Sequence, residues 1–316
     1  MSIDEDEVEG GVERLAATGR PQGGRALPAF AEAALWMLGA MASFMVLAVS
    51  GREASHAVGA FEVMLVRAIG TILVITAVAA ATGGIARVVR TNRLGLHLAR
   101  NVIHFVGQYL WLVALGMIPL AHLFAFEFTA PIWVAILAPI LLAERMTIAR
   151  AGAAALGFLG ILVVARPFGA AAGAGLDPGL LVALGSAVGF ALSTLAVKRL
   201  SATDSALTVV MYQGLLQAPI SLAFAYSSLT MPDPRIAFHL AMVTLASITA
   251  HYSITRAFRL ADVLLVIPLD FLRLPLIAIV GWLVYAEPLD PLVFVGGALI
   301  IAGNLWSIGS ERRRRI

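Results

Sequence analysis

The sequence predicts an all-α integral membrane protein of ten transmembrane helices, built as two halves of five that insert upside down relative to one another. Three observations predict it. Of 316 residues, 60% are hydrophobic and 13% charged, whereas a soluble domain carries roughly 25% charged residues. Apolar stretches recur from residue 30 to residue 309, each near the roughly 20 residues that cross a hydrocarbon core. Basic residues gather in every second loop.

Charge-poor windows and chain breakers place the spans at 30–50, 59–82, 97–117, 119–142, 149–165, 178–197, 205–228, 236–255, 261–285 and 290–309. Ile118 and Pro119 alone separate the third span from the fourth, which demands a tight helical hairpin. With the N-terminus in the cytoplasm, sixteen of the 22 basic residues fall in inside segments and three, Arg52, Arg166 and Arg235, fall outside. Basic loops are retained in the cytoplasm during insertion, so both termini are expected inside. The same alternation accounts for the net charge of +3 without a nucleic-acid partner. Residues 1–29, with Asp4, Glu5, Asp6, Glu7, Glu9 and Glu13, read as an acidic, disordered cytoplasmic tail. This start lacks the basic-then-apolar order of a cleavable signal peptide. Residues 310–316 read as a basic tail. Zero cysteines exclude disulfides and thiolate metal sites, and no cofactor or metal is expected.

The fourth and fifth spans repeat in the ninth and tenth. Leu120-Ala121 through Ala143-Glu144 is similar to Leu260-Ala261 through Ala286-Glu287, and a shift of 143 lays Ala153 on Gly296 and Gly160 on Gly303. Small residues at such positions let helix backbones approach closely in lipid. Because five is odd, two such halves must be inverted, a recurring plan of secondary transporters.

Glu62 through Arg67, Arg100, Ile118-Pro119-Leu120-Ala121 and Phe128-Thr129-Ala130-Pro131 together resemble the drug/metabolite transporter superfamily, and within it the EamA-type transporters. Leu142-Ala143-Glu144-Arg145, Gly157-Phe158-Leu159-Gly160, Pro268-Leu269-Asp270 and Ala286-Glu287 extend the resemblance across both halves. It implies two repeats, 30–167 and 178–309, around a central cavity, and a carrier of a small molecule in a bacterial inner membrane, with a homodimer left open. The chain departs from the family pattern at Val66, Glu127 and Arg273. The family's cargoes include amino acids, nucleotide-like metabolites, polyamines, vitamins and toxic amphiphiles, so membership does not name one.

Ionisable groups inside a span cost about 2.5 to 3.5 kcal/mol each on insertion scales, so they face a cavity or a partner. Six are placed there: Glu62, Arg67, Arg100, Glu127, Asp270 and Arg273. Arg67 and Glu127 lie at one depth and can pair if their helices adjoin, and Asp270 and Arg273 share a helix face at i, i+3. Such pairs either hold helices together or receive cargo, an arginine taking a carboxylate or phosphate and an acid taking an amine or a coupling proton. Arg100, His104 and Gln108 form a polar stripe on the third span, with Arg100 expected to snorkel to the interface. Tyr212, Gln213, Gln217 and His251 are the counterparts in the second half. Trp111, Phe126 and Phe128 can stack on a ring-bearing substrate, whereas Trp36, Trp133, Trp282 and Trp306 are assigned to anchoring or packing. The substrate-binding set is thus Arg67, His104, Gln108, Glu127, Gln213, Asp270 and Arg273. Pro131 and Pro268, in corresponding helices, are the expected gates. Glu144 and Glu287 are expected to cap helices or pair with loop arginines.

No Walker lysine motif, HExxH or GxSxG occurs, so transport would run on an ion gradient or on exchange. The first expectation is export of an amino acid or related zwitterion, and the second is uptake of a nucleoside-like or vitamin-like metabolite. An intramembrane enzyme is disfavoured by the dispersed histidines, and a passive channel by the lack of a symmetric polar ring.

Overall fold

The computed structural model of the chain describes residues 26–81, 84–142, 148–166, 177–200, 203–260 and 269–313. Those residues hold helices and no strand. In chain order the helices are α1 (Ala26–Val58), α2 (Ala60–Ala81), α3 (Ile85–Val89), α4 (Leu94–Met117), α5 (Leu120–Glu127), α6 (Ala130–Leu142), α7 (Ile148–Ala165), α8 (Pro178–Leu200), α9 (Ala206–Ala225), α10 (Pro234–Leu260), α11 (Arg273–Tyr285) and α12 (Pro291–Arg313).

Local chemistry sets the ends of these helices. Gly59 stops α1 with a φ of +88°, a conformation that costs little without a Cβ. Ile118, preceding Pro119, is extended and stops α4. Three Asp-Pro steps start helices. Asp177 accepts from the Gly179 amide, Asp233 from Ile236 and Asp290 from Leu292, at 2.7, 3.0 and 3.0 Å. In each, the carboxylate caps the helix and the proline occupies the first position, where its missing N–H is not needed.

Among the described residues, seven segments are long and apolar enough to cross a membrane, one of them running through α5 and α6. α7 and α11 are apolar but short, and α4 carries its polar stripe. The outward surface is studded with apolar side chains, Leu35, Leu73, Phe224 and Leu283 each more than half exposed. A water-soluble protein rarely presents so much contiguous apolar surface. Lipid is the solvent that this surface fits.

The expected fourth span, 119–142, is not one continuous helix. It breaks at Phe128 and Thr129, between α5 and α6, because Pro131 cannot donate to the carbonyl of Glu127. Asn304 on α12 donates to the freed Phe128 carbonyl at 3.0 Å. A matching turn at Phe271 and Leu272 precedes α11.

The helices pack chiefly in four pairs: α1 with α10, α4 with α8, α2 with α9 and α7 with α12. Glycine permits the closest crossings. A Cβ on Gly160 would lie 2.6 Å from the Gly296 carbonyl oxygen, one on Gly296 would lie 2.6 Å from that of Gly160, and one on Gly303 would lie 2.8 Å from that of Ala153. On the α4–α8 crossing, Gly107 and Gly189 meet backbone to backbone.

At the α3–α4 and α8–α9 connections, Thr91 and His97 donate to Asp204 Oδ2 at 2.7 and 2.6 Å. Burial pushes the Asp204 carboxyl up, and the hydrogen bonds from Thr91 and His97 more than reverse this, leaving its pKa below the ordinary carboxylate value. The stabilisation is therefore complete above about pH 4 to 5 and is lost as pH falls through the lowered value. Thermal unfolding in detergent should show wild type above Asp204→Asn by a constant margin at neutral pH, with the margin closing in strong acid. On the α7–α12 crossing, Gly160→Val should cost about 1–3 kcal/mol by overpacking. Gly95→Ala, whose Cβ meets open space, should be neutral in the same assay.

Candidate functional site

The interior polar groups form two clusters. The first joins α2, α4 and α9. Arg67 donates through Nη2 to Gln108 Oε1 and, at 2.9 Å, to Gln217 Oε1. The amide of Gln217 reaches His104 Nδ1 at 3.0 Å and the side-chain oxygen of Asn101 at 3.4 Å. Arg100 Nη1 donates to that same Asn101 oxygen at 3.0 Å. The helical spacing of 100, 104 and 108 presents these groups on one face of α4, so the stripe expected from sequence is a continuous network. Arg67 and Arg100 are each 6% exposed. Among the described residues neither pairs with a carboxylate.

The second cluster sits where the two helix breaks meet. Glu127 is the last residue of α5, Asp270 precedes the Phe271–Leu272 turn, and Arg273 is the first residue of α11. Arg273 Nη2 lies 3.2 Å from Glu127 Oε1 and 3.3 Å from Asp270 Oδ2. Trp111 Nε1 donates to the other Glu127 oxygen at 2.9 Å. Three rings enclose the guanidinium, with centroids 4.3, 5.0 and 5.2 Å from its carbon for Phe44, Phe128 and Phe124. Cation–π attraction is strongest at such desolvated sites. Phe128 also meets Phe271 edge-on at 5.5 Å. Glu127 and Asp270 are separated by the same 143 residues that relate Ala153 to Gly296.

The Phe44 ring that covers Arg273 also meets the His251 ring edge-on at 6.3 Å.

Several expectations change. Arg67 does not pair with Glu127, because Arg273 holds that carboxylate and two glutamine oxygens hold Arg67. Arg100 does not snorkel, since Asn101 binds it inside the bundle. The expected balance of three acids against three bases is absent. Among the described residues, two acids share Arg273, Arg67 and Arg100 pair with none, and Glu62, 4% exposed, accepts from the Thr230 amide at 3.5 Å. Gln213 is partly buried and stands outside the network. Tyr212 lies at the bundle end, stacked on His97 at 4.4 Å and donating to the Val89 carbonyl. Pro131 sits at the break, and Pro268 and Glu144 lie outside the described residues. Gln217, Asn101, Phe44 and Phe124 belong to the site and were absent from the expected set. Gln217 had a polar signal in its span, whereas nothing local marks Phe44 or Phe124 among the other aromatics.

One end of the bundle is latched. Glu287 pairs with Arg52 and accepts the Leu120 amide at 2.8 Å, capping α5 as expected of it. Glu53 accepts from Tyr285 at 3.2 Å and Arg235 at 3.0 Å, and Asp290 pairs with Arg166 and His122. Toward the other end a cavity of about 370 Å³, lined by Pro131, Thr194, Lys198, Asn304 and Ser307 among others, opens beside the α5–α6 break.

Comparison with known proteins places this geometry. The sequence model described as the EamA-like transporter family matches residues 31–166 and 177–309. A riboflavin transporter of Vibrio cholerae is 30% identical over 90% of this chain and 96% of its own. An S-adenosylmethionine uptake transporter of Rickettsia prowazekii is 25% identical over 71% of this chain and 75% of its own. A solved crystal structure superimposes with a TM-score of 0.61 at 18% identity, over 90% of this chain and 99% of its own, a likeness of fold.

The shared cation makes a non-additive prediction. Glu127→Gln or Asp270→Asn alone leaves Arg273 one carboxylate and should cost about 1 kcal/mol, whereas the double variant strands a buried cation and should cost about 3–5 kcal/mol. Restoring stability by adding Arg273→Met would confirm the cause. Simple additivity in thermal unfolding would show that the three groups act separately.

Proposed function

The chain belongs to the EamA-like transporter family, and from that premise we propose that it carries a flat, ring-bearing metabolite of the vitamin class into the cell by alternating access. It is a multi-pass membrane transporter of a small molecule and not an enzyme. The proposed architecture is ten spans in two inverted repeats, with α5 and α6 forming the fourth span and α11 lying in the ninth. The packing supports this. Exchanging each span with the one five places away turns the α1–α10 contact into the α8–α4 contact, and leaves the α2–α9 and α7–α12 contacts in place. The same exchange turns the Gly160–Gly296 crossing into Gly303–Ala153. The basic loops then put both termini in the cytoplasm of a bacterial inner membrane, the latched end outside and the cavity beside Pro131 inside.

The observation that carries the cargo class is the aromatic enclosure at the meeting of the breaks. Phe44, Phe124 and Phe128, with Trp111 beside them, offer ring faces for stacking, and Glu127, Asp270 and Arg273 offer hydrogen bonds to a heterocycle's polar edge. Arg67, His104 and Gln108 complete the site across Phe44, with Gln213 one turn from Gln217. Pro131 and Pro268 are the proposed hinges. Transport on this reading is driven by exchange or by protons, and Asp270 Oδ1, buried without a partner, is the place for a coupling proton. The names of the riboflavin and S-adenosylmethionine carriers support uptake of a ring-bearing cargo. Export of a zwitterion is the second reading, favoured by the neighbouring clusters of opposite net charge.

Purified protein in proteoliposomes should take up riboflavin, faster with an inward proton gradient. Phe44→Ala should raise the half-saturating concentration roughly tenfold, equivalent to about 1.4 kcal/mol. Absence of riboflavin flux alongside flux of an amino acid would transfer the assignment to the second reading.

A further inference from the structure

We infer that the cluster of Arg67 and Arg100 is a binding site for an anionic oxygen group, a carboxylate or a phosphate, supplied by a ligand. Each of the two arginines is 6% exposed, and among the described residues no carboxylate pairs with either. Of the interior acids, Glu127 and Asp270 are committed to Arg273, and Glu62 meets the Thr230 amide. The groups around the two arginines are neutral side chains, Gln108, Gln217 and Asn101, with His104. An uncompensated buried ion costs several kcal/mol, and two arginines in one cluster also repel each other. Polar side chains satisfy part of the hydrogen bonding and none of the charge.

The donors left over point the same way. A guanidinium has five N–H donors in a fixed fork that matches carboxylate and phosphate. Among the described residues, Arg67 donates from Nη2 to Gln108 and Gln217, and Arg100 donates from Nη1 to Asn101. The Nε atoms of both are buried without a partner. An oxyanion entering between α2, α4 and α9 would take those donors and cancel the charge at once.

The oxyanion has two sources. It is part of the cargo, in which case the inference rests on the carrier reading and narrows the cargo to an anionic or zwitterionic metabolite. Otherwise it is a free inorganic or small organic anion that binds beside a neutral cargo. The apparent melting temperature of the full chain in detergent separates them, because a ligand of the folded state raises it. Titrations at constant ionic strength would use sodium phosphate, sodium acetate, riboflavin and riboflavin 5′-phosphate, with sodium chloride as the balance. A saturable rise of several degrees is expected with at least one oxyanion, and Arg67→Gln and Arg100→Gln should each abolish it. Without oxyanion, Arg67→Gln should melt no lower than wild type, since it deletes an unpaired cation. Arg235→Gln, an exposed partner of Glu53, should keep the rise.

A rise with phosphate or acetate alone assigns the free anion. A rise with riboflavin 5′-phosphate, and none with riboflavin or the inorganic salts, assigns the cargo. Should the glutamine variants not fold, Arg67→Lys, which keeps the charge and loses the fork, should retain the rise at weaker affinity. No saturable rise with any oxyanion, or one that survives in both glutamine variants, overturns the inference. Failure of riboflavin flux in proteoliposomes leaves this result untouched and counts against the carrier's cargo assignment alone.

Discussion

One guanidinium, shared by two carboxylates at the ends of two broken helices, organises the centre of this protein. Arg273 lies within 3.3 Å of both Glu127 and Asp270, and Phe44, Phe124 and Phe128 seal its remaining faces. A membrane interior tolerates irregular backbone only where protein or a cavity satisfies the freed groups. The Asn304 side chain does this for Phe128, and the charge triad ties the residues that flank the two breaks to one another through their side chains. Neither break can shift without disturbing the partner of the other. The α5–α6 pair and α11 therefore behave as one unit around which the longer helices are fitted.

The helices around that centre are arranged so that sliding is cheap and separation is costly. The α7–α12 and α4–α8 crossings rest on glycine and alanine, with backbones in direct apposition. Such contacts rely on shape and not on interlocked side chains, so modest rotation does not require a whole layer to repack. The bundle ends differ. Glu287, Glu53 and Asp290 tie α1, α5, α10, α11 and the end of α7 together at one end, while the cavity beside Pro131 leaves the other partly open. In the proposed alternating-access cycle these pairs suit a gate, since those with an exposed arginine, Arg235–Glu53 and Arg166–Asp290, are worth at most about 1 kcal/mol each. A few of them can be exchanged for equivalents at the opposite end.

Much of this was legible in the sequence because the chemistry is local. Positions of the helices follow from apolar length, and the hairpin at Ile118-Pro119 follows from proline geometry. The alignment of 100, 104 and 108 follows from helical periodicity, and the i, i+3 spacing of Asp270 and Arg273 allows a pair that the structure makes across the Phe271–Leu272 turn and not along a continuous helix face. Long-range choice of partner was not legible. Arg67 and Glu127 satisfy every condition of depth and charge for a pair, yet Arg273 takes the glutamate because the two breaks bring it closer. The buried state of Arg100 depends on Asn101 and on the tight α4–α8 crossing, which no pattern around residue 100 announces. Phe44 and Phe124 are chosen from many aromatics by the three-dimensional path of α1 and α5.

The charges also settle a question that symmetry alone leaves open. In two identical inverted halves, the inward-open and outward-open forms would be images of each other and equal in energy. Here the carboxylates obey the repeat, Glu127 and Asp270 standing 143 residues apart, but the position of Arg273 is matched by Ala130. Arg67 and Arg100 both belong to the first half. In the proposed alternating-access cycle, moving one half past the other would therefore change which charges approach one another, and the two forms would differ in energy. The bias is set by unpaired charge, and a ligand that brings charge is able to reverse it. A cargo that made equal contacts in both forms would shift nothing. In the proposed cycle, the interior charges would give binding at the centre one means of favouring one form over the other.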